Sequence, residues 1–336
     1  MSGSSDGIGT YPVWAMAALE REVQAGAVAQ AYLFTGAAGL GQVETARTLV
    51  HALLCRNRRG GRACGECPAC HKLAAGNHPD LHWVAPEGAT LKFEQVRAVL
   101  REAWYRPLEG ERRCFVLEDA GRLSTEAANR LLKILEEPPA HALFILIAEA
   151  PTQLPATIVS RCRWLPFRPL PVSALARELE RNHGLNAARA RLVARLAGGN
   201  PGLARRFLEL EQFPELCRRV VDLLGNLARG GPVEALAAAD ELATLDAETL
   251  LLVLTLLEHA LREVWLFAAG LPLRYAVGVD EPARLREVAD QWGAFDYEAA
   301  MQQVARARWY LRSHVQTQHA LDALFLSLQN LRGSPG

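Results

Sequence analysis

A glycine-rich turn set between a short apolar run and a helical pattern constrains this chain more than any other feature. Ala31, Tyr32, Leu33, Phe34 and Thr35 make a run of strand length, and residues 43–54 carry a helical pattern. Between them lies Gly36-Ala37-Ala38-Gly39-Leu40-Gly41-Gln42-Val43. Glycines at this spacing let backbone N–H groups close around an anion at a helix N-terminus. A working phosphate loop then needs a lysine for the β- and γ-phosphates and a Ser or Thr hydroxyl for Mg²⁺. Here Gln42 is neutral and Val43 offers no oxygen. Thr45 lies two positions too far along, and no lysine precedes Lys72. Taken alone the turn also fits a plain strand-to-helix connection. Together with the motifs below it reads as the relic of a nucleotide site, and hydrolysis by this chain is not expected.

The pattern around the turn is that of an α/β domain. A second strand is expected over residues 114–118 and a third over 144–148, with a helix from 125 to 136 between them. That helix places Ala128, Leu131, Leu132 and Leu135 on one face, with Ser124 as N-cap and Pro138-Pro139 as its stop. Strands alternating with helices imply a parallel sheet covered on both faces. Residues 165–171 hold three prolines and read as an interdomain linker. Beyond them everything is expected to be helical: a short segment ending at residues 198–202, then long amphipathic helices over 233–270 and 296–331. The most apolar stretch, residues 250–257, is too short to cross a bilayer, which takes about 20 residues, and reads as a buried helix.

Charge narrows the function classes. Lys+Arg and Asp+Glu are 37 each in the 336 residues, so the net charge is zero. A neutral chain is not a strong autonomous DNA binder, because phosphate neutralisation dominates non-specific affinity. The cations are almost all arginine, with Lys72, Lys92 and Lys133 the sole lysines. Residues 1–10 show neither a basic start nor an apolar run, so no secretory signal is expected and a reducing, cytoplasmic location follows.

In that setting the cysteines read as ligands or core residues. Cys55, Cys64, Cys67 and Cys70 follow the pattern C-x8-C-x2-C-x2-C. Four thiolates in tetrahedral array favour a closed, structural Zn²⁺ site; four buried free cysteines are the alternative. His71 reads as a bystander. Arg56, Arg58, Arg59 and Arg62, between the first two cysteines, suit a solvated loop or a phosphate contact. Cys114 and Cys217 read as core or inert.

Several segments together resemble the bacterial clamp-loader subunits, a family of AAA+ ATPases. These are the run from Tyr32 to Gly36 with its loop and helix, the cysteine insertion after that helix, and Gly76-Asn77-His78-Pro79-Asp80. More specific are Leu123-Ser124, the stretch Leu131-Leu132-Lys133-Ile134-Leu135-Glu136-Glu137-Pro138-Pro139, and Ser160-Arg161-Cys162 at the end of residues 154–162. Residues 314–326 resemble the family's last collar helix, with His314 and Gln316 where the family usually has Asn.

The resemblance implies an AAA+-like P-loop domain over residues 1–168, a small helical lid over 169–209, and a helical collar over 210–336. It implies work in a hetero-oligomeric ring with gamma/tau ATPase subunits and a delta subunit, acting on a sliding clamp and primed DNA. Within the family, hydrolysing members keep the loop Lys and Thr, which this chain lacks. Glu118-Asp119 inverts the Asp-Glu that active members use for Mg²⁺, and Gly202 falls near the position of their second-domain arginine; Arg205 and Arg206 are not given that role. Arg161 is implied to act as an arginine finger on the ATP of a neighbouring subunit, with Ser160 and Cys162 orienting the segment. Arg163, two positions along, is the possible confusion. An active ATPase of the same fold, or a zinc-containing DNA-binding module outside replication, are the competing readings.

Overall fold

The computed structural model describes residues 13–86, 91, 93–210, 212–270, 282–293, 295–313 and 315–331. The reading of residues 1–10, and Lys92 and His314, lie outside them. The chain divides into two compact units: residues 1–170 with Asn200–Gly202, and residues 171–199 with 203–336.

The first unit is built on five parallel strands: β1 (Ala31–Thr35), β2 (Leu81–Val84), β3 (Arg113–Leu117), β4 (Ala142–Ala148) and β5 (Arg163–Pro166), in the order β2-β3-β4-β1-β5. Its helices are α1 (Val13–Ala25), α2 (Gln42–Leu54), α3 (Pro68–Ala74), α4 (Phe93–Ala103), α5 (Thr125–Glu136) and α6 (Ala156–Val159). The three central strands are buried along their whole length, as expected where both faces are covered. Alternation then sorts their side chains. Tyr32, Phe34, Cys114, Val116, Ile145 and Ile147 pack towards α1 and α2, while Leu33, Phe115, Leu117, Phe144 and Leu146 pack towards α4 and α5. This is the expected α/β fold with a parallel sheet.

Two expectations need correction. Residues 165–166 are not linker: Leu165 and Pro166 finish β5, in register with Phe34 and Thr35. A proline is tolerated there because β5 is an edge strand, and pairing with β1 continues as the Phe167 N–H donates to the Thr35 carbonyl at 2.6 Å. In α5 the buried face is Ala127, Ala128, Leu131, Ile134 and Leu135, whereas Leu132 is only partly buried.

The second unit is helical: α7 (Val172–His183), α8 (Ala187–Leu196), α9 (Pro201–Glu209, entering from the first unit), α10 (Phe213–Arg229), α11 (Pro232–Ala243), α12 (Ala247–Ala268), α13 (Pro282–Trp292), α14 (Tyr297–Arg312) and α15 (Thr317–Asn330). The expected long helices are each broken in two. Asp246 caps α12 by accepting from the N–H groups of Glu248 and Thr249, which separates it from α11. Gln316, extended at the start of α15, separates that helix from α14. Residues 250–257 lie within α12, mostly buried. Among the described residues no helix is long and apolar enough to cross a membrane.

Candidate functional site

The glycine-rich loop leaves the C-terminal end of β1, where β4 and β5 lie on either side, the edge of a parallel sheet at which α/β proteins place their ligands. Gly39 and Gly41 have φ of 89° and 94°, values that side chains rarely adopt. The loop therefore turns on glycines in the left-handed region and enters α2 through Gly41. Its interior is occupied by the chain itself. Gln42 is 3% exposed, and its Nε2 donates to the carbonyl oxygens of Gly36 at 2.7 Å and Ala37 at 3.0 Å. The glutamine amide folds back on the loop. Thr45 is fully buried, so it does not replace the hydroxyl that Val43 lacks.

Two residues from far along the chain close over the same loop. Asn200 Nδ2 donates to the Ala38 carbonyl at 2.8 Å, and the Gly202 N–H donates to the Gly39 carbonyl at 2.9 Å. The backbones approach so closely that a Cβ on Gly202 would lie 2.7 Å from Gly39 Cα. Gly202 is thus a packing residue here. Arg205 pairs with Glu209 at 3.6 Å and Arg206 with Glu248 at 3.2 Å.

The acidic pair after β3 is likewise engaged. Glu118 Oε1 accepts from Trp83 Nε1 at 2.5 Å, and Asp119, at φ 48°, lies 3.8 Å from Arg122. Asp119 spends a strained backbone on a tight turn into Ala120–Arg122.

The four cysteines come together. All four Sγ atoms lie within 4.8 Å of one another, with Cys55–Cys64 at 3.5 Å and both Cys55–Cys67 and Cys64–Cys70 at 3.9 Å. A tetrahedral Zn–S bond of about 2.3 Å requires Sγ separations of about 3.8 Å, so the donor set fits a closed thiolate site and could hold a metal ion. α3 starts at this cluster. The Cys70 N–H donated to Cys67 Sγ is the main reason the Cys67 thiol is held down at about 6, while burial pushes Cys70 up to about 12. His71 is not one of the four donors. The loop arginines are tied to carboxylates: Arg56 to Glu109, Arg58 to Glu111, Arg59 to Glu66 and Arg62 to Glu20. Burial pushes Cys114, inside β3, up to about 12.

Sequence reasoning missed how the insertion is fastened. Asp80 is fully buried and accepts from the N–H groups of Leu108, Glu109 and Gly110 at 2.7, 2.8 and 2.9 Å. Burial opposes its charge, but these three donors prevail and hold its carboxyl below the ordinary value. Lys72 pairs with Glu109, which ties α3 to the same loop. The signal was the lone acid in Gly76-Asn77-His78-Pro79-Asp80, uninterpretable without its partners.

Arg161 follows α6 at the surface, its side chain 36% exposed. Ser160 Oγ donates to the Thr157 carbonyl at 3.1 Å, and Cys162 packs against the core on the α5 side, where burial pushes its thiol up to about 12. Arg163 is otherwise occupied: its Nη2 lies 2.6 Å from Glu22 Oε1, and Glu22 Oε2 accepts from the Tyr32 hydroxyl. Arg163 thus fastens β5 to α1.

A glycine-rich loop at the C-terminal end of a strand in a parallel sheet, closed on itself by Gln42, defines the class: a parallel α/β domain, followed in the chain by a helical unit. Residues 14–171 match the family described as DNA polymerase III, delta subunit. Over 208 residues the chain is 34% identical to DNA polymerase III subunit delta′ of Bacillus subtilis, covering 62% of each chain. It is 40% identical over 183 residues to subunit delta′ of Pseudomonas aeruginosa, covering 53% of this chain and 55% of that one. It is 34% identical over 190 residues to subunit tau of Salmonella typhimurium, covering 55% of this chain and 29% of that one. The matched segment is thus similar to DNA polymerase III subunits named delta′ and tau. The aligned regions span 62% or less of these relatives' own lengths.

Proposed function

We propose that this chain is a non-hydrolysing subunit of the delta′ type in a bacterial DNA polymerase III clamp loader. The observation that carries the reading is Gln42: a neutral amide, hydrogen-bonded to the Gly36 and Ala37 carbonyls, stands where a hydrolysing subunit needs a cation. The reading as a hydrolysing gamma/tau-type subunit is opposed by the same residue. In this role the chain is a scaffold and activator. It sits in a ring with gamma/tau ATPase subunits and contacts the delta subunit, in the cytoplasm, reaching the sliding clamp and primed DNA through the assembly.

Arg161 is the residue assigned to chemistry. A permanently charged guanidinium presented from one subunit can offset the charge that develops on the γ-phosphate held by the next. Its partial exposure supports that role. Cys55, Cys64, Cys67 and Cys70 are assigned to a structural Zn²⁺, which would hold α3 and its flanking loop in place and leave no coordination position for water. The α/β domain is taken to end near residue 168, residues 169–209 to serve as lid, and residues 210–336 as collar.

The test is co-purification with cognate gamma/tau and delta chains, followed by ATPase assays on each chain separately. Stable co-assembly with no ATP cleavage by the solitary chain is the expected result. Robust cleavage by the pure chain alone would overturn the assignment.

A further inference from the structure

Arg161 is held by two contacts that come from different elements. Its Nη1 donates to the Thr157 carbonyl, one turn back in α6, and its Nη2 donates to Glu136 Oε1 at the end of α5, each at 2.9 Å. A guanidinium has five N–H donors; these contacts use two, leaving three for an anion.

We propose that Glu136 is a positioning residue for Arg161, fixing the pose in which the guanidinium is presented to the neighbouring subunit's triphosphate. The proposal rests on the reading of Arg161 as a finger acting in trans. Three observations carry it. First, both side chains are substantially exposed, 36% for Arg161 and 45% for Glu136, and ion pairs of that kind add little to folding stability. Second, Glu136 stands in the last turn of α5, where the helix dipole disfavours a carboxylate, so the position is a poor one for an acid unless a cation meets it. Third, Ser160 Oγ donates to the same Thr157 carbonyl that Arg161 uses, so the turn carrying the arginine is itself fastened. Arginine has one of the largest rotamer entropies of any side chain. A carboxylate that removes this freedom beforehand lowers the entropy lost when the guanidinium meets phosphate.

The test uses the complex reconstituted with cognate gamma/tau and delta chains and reads DNA-stimulated ATP hydrolysis. Glu136→Ala is expected to lower kcat by at least half of the fold-loss that Arg161→Ala causes, with KM for ATP unchanged. Glu136→Gln, which keeps an acceptor oxygen, is expected to recover most of that loss. The Glu136→Ala/Arg161→Ala double variant is expected to match Arg161→Ala alone. A thermal melt of each isolated variant within about 2 °C of the parent separates positioning from misfolding; where Glu136→Ala exceeds that, Glu136→Gln and Glu136→Asp carry the comparison. Wild-type or faster turnover by Glu136→Ala beside a slow Arg161→Ala overturns the positioning role and leaves the finger intact, as does an additive double variant. A silent Arg161→Ala removes the finger itself, and Glu136 with it.

Discussion

The Nε2 of Gln42 lies 2.7 Å from the Gly36 carbonyl oxygen, so the first residue of α2 closes the turn that leads into it. The amide is part of the loop's internal hydrogen bonding, and Asn200 and Gly202 add two more bonds to the same loop. The loop is a structural joint.

Two substitutions test that joint. Gln42→Ala removes two hydrogen bonds at a buried position and is expected to destabilise the isolated chain by about 1–3 kcal/mol, read by urea denaturation. Gln42→Lys is expected to leave the solitary chain without ATPase activity, because Val43 still offers no hydroxyl for Mg²⁺; measurable turnover by that variant would contradict this account.

Gly202→Ala tests the close approach of residues 200–202. The new Cβ would sit 2.7 Å from Gly39 Cα and 2.8 Å from its carbonyl oxygen, both backbone atoms, so relief requires a backbone shift. A loss of about 1–3 kcal/mol is expected, and faster amide hydrogen exchange over residues 36–43 should report where the loop has opened.

Arg161→Ala is expected to leave the fold intact and to slow ATP cleavage in the assembled complex. Loss of an arginine finger corresponds to roughly 10³–10⁵ in rate at the site concerned. The measurement is DNA-stimulated ATPase and clamp loading by the reconstituted complex. Unchanged values would remove the assignment.

The cysteine site is expected to bind one Zn²⁺ per chain, counted by elemental analysis of the purified protein. Cys67→Ser should lower that stoichiometry and expose residues 55–75 to proteolysis, since metal affinity and local folding are coupled, with effects on the order of several kcal/mol. Chelation should lower the melting temperature of the parent chain and have little effect on the variant.

Asp80 sets an acid limit. Its folded pKa lies below the unfolded value, so its contribution is fully present above the ordinary carboxylate range and is lost as pH falls through the depressed folded value. Asp80→Asn is expected to destabilise the chain by about 2–4 kcal/mol at pH 7 and to flatten the acid side of its stability curve below about pH 4. Denaturation midpoints measured from pH 3 to pH 7 check both.

What the sequence by itself determined is whatever has a local period or a local chemistry. β1, α5 and nearly all of α2 stand where their patterns place them, and the missing lysine, the four thiols and the arginine after Ser160 are plain in the residues. Hydrogen-bonded turns and strand alternation write themselves into neighbouring positions, so these elements needed no partner to be recognised. Only the tertiary structure decided which groups meet across the chain. Short β2 and β5 gain their identity from pairing with β3 and β1. Glu136 reaches an arginine twenty-five residues away, Asp80 gathers the N–H groups of residues 108–110, and Asn200 closes a loop that ended more than a hundred residues earlier. Such contacts depend on how the topology folds distant segments together, and no periodicity along the chain records them.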